Sequence, residues 1–180
     1  YGERCGASTE ATLLQQANAC RKALYRSNKK MQYRHNWMRC IRQYKKISDA
    51  YPKSGEAAWA LYFSARMYTK LSRFSGLESD LDEGIALFKQ VVEAYPDHRL
   101  ADDAQYRIGE VYYQEKGNPT QAYVEFLKVD IKFTSGDMRD RARDMMDELA
   151  RVLSKEKREK KPLGSGSDQH GLARVQDIRH

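Results

Sequence analysis

The chain has 180 residues, of which 41% are hydrophobic and 32% charged, and a formal net charge of +7. That length fits one domain, and roughly 150 patterned residues suffice to bury about two-thirds of the unfolded surface. No apolar run approaches the roughly 20 residues that a membrane-spanning helix needs. The sequence opens at Tyr1 with no initiator Met and no signal peptide, as expected of a fragment or a processed form.

Residues 1–35 read as an N-terminal entry helix and its turn. Ser8 to Asn28 and Tyr33 to Ala50 make a helical hairpin turning near Met31. That turn sets Cys20 and Cys40 at similar heights on antiparallel helices. A disulfide between them is geometrically feasible and implies an oxidising compartment; two small buried thiols fit the same positions. No cysteine spacing matches a zinc knuckle or a redox C-x-x-C.

Charge is segregated. Between Glu10 and Asp49 there is no acidic residue. Lys22, Arg26, Lys29, Lys30, Arg34 and Arg42 fall there and are the candidate anion- or partner-binding residues. Residues 77–115 reverse the balance, with Glu78, Asp80, Asp82 and Glu83 leading an acidic stretch. A basic hairpin beside an acidic middle suits an acidic partner, an anionic surface or nucleic acid; a solvated helix face gives the same pattern. No nucleic-acid motif accompanies it, which disfavours that partner.

Residues 36–154 repeat. Cys40 to Tyr68 and Gly84 to Tyr112 align at a constant offset. Ile41 matches Ile85, and Tyr51-Pro52 matches Tyr95-Pro96. Ala57, Ala60, Tyr62 and Tyr68 match Ala101, Ala104, Tyr106 and Tyr112, while Ala65 stands opposite Gly109. The first half of the unit carries Ile41, Tyr44, Ile47 and Tyr51 at helical spacing. The proline cannot continue that helix. A second helix follows, whose alanines admit a close neighbour and whose tyrosines fill the space between layers. The fold class is therefore all-α, a solenoid of antiparallel helix pairs.

Ser72 to Asp82, rich in Ser, Gly and Asp, reads as an extended link or short extra helix between repeats. Asn118-Pro119-Thr120 starts a weaker third copy, with Asn as N-cap and Pro in the first turn. Tyr123, Phe126, Leu127 and Phe133 carry its stripe, and Phe133-Thr134 replaces Tyr-Pro. Asp137 to Leu153 is its second helix, with Ala142, Met145, Met146, Leu149 and Val152 inward and a polar outer face that caps the array. Residues 155–171 form a charged helix end and a Gly/Ser linker. Catalytic motifs are missing: the histidines are scattered, and neither H-E-x-x-H nor G-x-S-x-G occurs. His98, at a helix start, suits a capping or solvated role.

This layout resembles the tetratricopeptide repeat superfamily, with units longer than its usual length of about 34 residues. The A-x-x-A spacing and the Tyr-Pro ending look most like its bacterial envelope branch. That resemblance implies a right-handed superhelix that binds a protein or peptide partner in the cell envelope. Residues 172–180, with Leu172, Arg174, Val175, Gln176 and Ile178, resemble the opening strand of an AMIN domain. In N-acetylmuramoyl-L-alanine amidases of deltaproteobacterial type, a repeat region precedes AMIN and a zinc-dependent catalytic domain follows. The resemblance thus implies the targeting region of a periplasmic peptidoglycan amidase, with zinc in a domain beyond these residues and no cofactor within them. The alternative is a stand-alone envelope scaffold, akin to outer-membrane assembly or division coordinators, with no enzymatic activity.

Overall fold

A computed structural model describes residues 9–159. Among these residues, every regular element is helical. In order they are α1 (Glu10–Tyr25), α2 (Asn28–Met31), α3 (Arg34–Ala50), α4 (Gly55–Ser75), α5 (Glu78–Ala94), α6 (Ala101–Glu110), a π-helical turn (Val111–Glu115), α7 (Pro119–Lys132) and α8 (Arg139–Glu159). The readings at residues 172–180 and in the Gly/Ser linker lie outside the described residues.

Local chemistry sets the helix starts. Ser54 Oγ accepts the Ala57 amide at 3.1 Å, and Asn118 Oδ1 accepts the Gln121 amide at 2.9 Å, each satisfying a donor left free in the first turn. The helix ends repeat one another. Tyr51, Tyr95 and Phe133 close α3, α5 and α7 with φ/ψ of −130/54°, −135/54° and −116/62°. Each donates its amide to the carbonyl four residues back, at 2.9, 3.0 and 3.0 Å. Each then accepts from the residue three further on: Ser54, His98 and Gly136. Phe133-Thr134 makes the same corner as the two Tyr-Pro pairs, although it has no proline.

Ser72 to Asp82 is neither an extended link nor a separate short helix. Helix α4 continues to Ser75, and only Gly76 and Leu77 separate it from α5. Gly76 takes the left-handed conformation (φ 65°) and returns its amide to Ser72 O at 2.8 Å, a helix stop that suits glycine. At the far end, α8 begins at Arg139 and runs to Glu159, so the charged stretch after Ser154 continues the helix.

Consecutive helices pack on one another along the chain, and α1 also reaches α4. Trp37, Tyr44, Ile47, Met67 and Leu71 form the core between α3 and α4, with α1 against it. Tyr62, Phe88, Val91 and Ile108 join α4, α5 and α6. Phe126, Val129, Ala142 and Leu149 join α7 and α8. Fully burying each large side chain contributes about 1.5–3 kcal/mol. The small residues of the repeat sit at the contacts: Ala57, Ala60 and Ala65 are fully buried on α4, as is Ala104 on α6. The aromatics split, with Tyr62 buried and Tyr68, Tyr106 and Tyr112 half-buried between layers.

Candidate functional site

One residue of the basic hairpin differs from the others in its partner. Lys22, Arg26, Lys29, Lys30 and Arg42 are exposed on α1, the turn, α2 and α3. Arg34 is engaged elsewhere. Its two terminal nitrogens donate to Asp80 Oδ2 and Oδ1 at 2.6 and 2.7 Å, and Ser75 Oγ donates to Asp80 Oδ2 at 2.6 Å. Asp80 is 1% exposed, so this bidentate pair fastens the start of α3 to the start of α5. Burial pushes the Asp80 carboxyl up, but the bonds from Arg34 and Ser75 outweigh it and hold the group below its ordinary value. Arg34 therefore leaves the open cationic set. Cys20 and Cys40 are joined by a disulfide, with Cα atoms 5.6 Å apart, tying α1 to α3.

A second cationic region is a recess of about 250 Å³ bounded by α1, α4, α5, α6 and the π-helical turn. Arg66, Lys70 and Arg73 lie four and three residues apart on α4 and form one ridge along its wall. Arg107, Glu110 and Glu115 face them from α6 and the turn, Tyr25 closes one end, and Phe88 and Val111 contribute apolar surface. Both carboxylates are already engaged. Arg107 binds Glu110 at 2.5 Å, and Arg73 pairs with Glu115. Arg66 and Lys70 are in none of the ion pairs among the described residues.

Aromatic rings hold these cations in place. Lys70 Nζ lies 4.1 Å from the centroid of the Tyr25 ring, and the Arg66 guanidinium 6.0 Å from that of Tyr62. Arg21, on α1 outside this lining, lies 4.2 Å over the Phe63 ring and donates to the Tyr44 hydroxyl at 2.9 Å. Burial pushes the Tyr25 hydroxyl up to about 12, against the opposing pull of Arg21 and Arg66, so it remains a neutral donor near this charge. The sequence signal was the helical spacing of Arg66, Lys70 and Arg73.

Other polar clusters serve the fold. Asp102, Asp103 and Asp137 bring carboxylate oxygens within 4.8 Å of one another. Asp102 is bonded within that corner, accepting the amides of Asp103 and Met138 at 2.9 and 3.4 Å. Buried Glu125 accepts from Gln105, Gln121 and Lys128 at 2.7–2.9 Å. His98 Nδ1 accepts the Leu100 amide at 3.2 Å ahead of α6, a capping role. Among the described residues, no helix is long and apolar enough to cross a membrane. No protein-family model matches the chain, and no curated protein matches it either.

Proposed function

We propose that residues 36–154 form a right-handed, tetratricopeptide-like superhelix that docks a protein partner in an oxidising envelope compartment. The observation that carries this reading is the recess between α1, α4 and α6, where Arg66 and Lys70 stand near aromatic rings with no carboxylate partner among the described residues. Repeated helix pairs suit docking, because each unit adds wall to a continuous surface. The Cys20–Cys40 disulfide is compatible with an extracytoplasmic location. The resemblance of residues 172–180 to an AMIN strand supports a finer reading, in which this is the docking region of a periplasmic peptidoglycan amidase. Amide hydrolysis then belongs to a zinc domain outside these residues.

Photo-crosslinking tests the docking reading. A crosslinkable residue at Thr69 or Gln114, in the wall of the recess, is expected to trap one discrete envelope protein in cells. The same group at Arg158 is expected to trap none. Equal, diffuse adducts from all three positions overturn docking at the recess. For the finer reading, a gene product extending past His180 is expected to release fragments from isolated peptidoglycan, while residues 1–180 alone release none.

A further inference from the structure

We infer that the recess binds an acidic peptide segment, with two of its carboxylates seated on Arg66 and Lys70. This rests on the docking reading above and specifies the chemistry of the partner. Four cations enter the recess and two carboxylates face them, each already paired with Arg73 or Arg107. The two remaining cations are neighbours one turn apart on α4, where like charges repel. Bound anions remove that repulsion.

The rings fix the geometry. Tyr25 and Tyr62 lie against Lys70 and Arg66, so the N–H groups not facing a ring remain free to donate into the recess. Residues one turn apart on a helix face sit about 5–6 Å apart at Cβ. Glutamates on alternate residues of an extended segment, or on successive turns of a helix, present carboxylates at about that separation. Gln114 in the wall supplies an amide for the peptide backbone, while the Thr69 hydroxyl, which donates to Arg66 O at 3.1 Å, can accept from it.

Size and shape favour a peptide over other polyanions. A volume of about 250 Å³, recessed between helices, admits a few side chains. A duplex is too broad to enter, and a bilayer surface too flat. Lys29 and Lys30, on α2, lie outside this lining, whereas Arg66 and Lys70 are in it.

The probe is a blocked, fluorescent hexaglutamate peptide at low ionic strength, with hexaglutamine as control. Wild-type protein is expected to bind the first and not the second. R66E/K70E is expected to weaken binding about tenfold or more, the scale of losing two charge-assisted contacts. R66Q/K70Q removes the charges without adding acids, and guards against misfolding of the reversed variant. Circular dichroism and the melting temperature of both are compared with wild type. K29E/K30E is expected to change binding by less than about twofold. Amide resonances of residues 66–73 and 114–115 are expected to move on titration.

Absent binding, binding that survives both groove variants, or resonance shifts confined to α2 and α3 overturn the assignment. So does retention on phosphatidylglycerol vesicles without binding of the peptide. If crosslinks from Thr69 to an envelope protein persist in any of these cases, docking stands and only its acidic chemistry fails.

Discussion

Asp102, Asp103 and Asp137 meet where the loop before α8 folds onto the start of α6. Burial raises the Asp102 carboxyl most, and Asp137 adds to it; burial and then Asp102 and Asp137 raise Asp103. A carboxyl raised in the folded state holds its proton to higher pH than in the unfolded chain. Stability from this corner therefore falls as pH rises from the ordinary carboxylate value, about 3.9, through the folded-state value. D137N removes one charge and keeps the side-chain size. Its melting temperature is expected to exceed wild type by about 2 °C at neutral pH, the response of a domain this size to somewhat under 1 kcal/mol. The gain is expected to vanish below about pH 4, where the unfolded carboxylates are protonated too. Calorimetry across pH checks both; a gain that persists in acid excludes charge relief. Single residues were the least legible scale. In the sequence Arg34 groups with its basic neighbours, because Asp80 lies 46 positions away and no local pattern joins them.

At the scale of elements, periodicity carried most of the fold. The Tyr-Pro corners and the alanine faces identified α3 to α6, and the Asn-Pro start identified α7. Ser72 stays within α4 for a physical reason: a helix can satisfy a serine internally. Ser72 Oγ donates to Thr69 O at 2.8 Å and lies buried, so polar composition does not end α4 before Gly76. The pairing of Ala65 with Gly109 has a similar local meaning. A Cβ on Gly109 would lie 2.7 Å from Phe126 Cε1, so α7 approaches α6 at a point where even alanine crowds its ring. G109A gains about 1 kcal/mol of helix propensity but overpacks the contact, at a cost of about 1–3 kcal/mol. The expected result is a melting temperature a few degrees lower, recovered in G109A/F126L, where the smaller side chain makes room. An undiminished melting temperature in G109A alone would show that the Phe126 ring moves freely.

For the whole molecule, the question is whether stability passes only between neighbouring helices, as the proposed superhelix requires, or is shared by one cooperative core. The Cys20–Cys40 bond offers a localised perturbation. It joins α1 to α3 across 20 positions, and α1 otherwise rests on α3 and, more lightly, on α4. Closing a loop of that length removes unfolded-state entropy worth about 3 kcal/mol. Nearest-neighbour stability confines the loss of the bond to the elements it joins. In C20S/C40S, hydrogen exchange is expected to quicken across α1 and the α3 residues facing it. The amides of α7 and α8, held by Phe126, Val129, Ala142 and Leu149, should keep wild-type protection. Reducing the wild-type protein should reproduce that pattern, which separates the bond from any packing change caused by serine. Uniformly faster exchange from α1 to α8 would show a single cooperative unit, and the superhelical reading would lose its energetic basis. A response confined to α1 and α3 would also loosen Tyr25, the ring that α1 sets against Lys70 in the recess, so groove binding should weaken on reduction while α7 and α8 keep their protection.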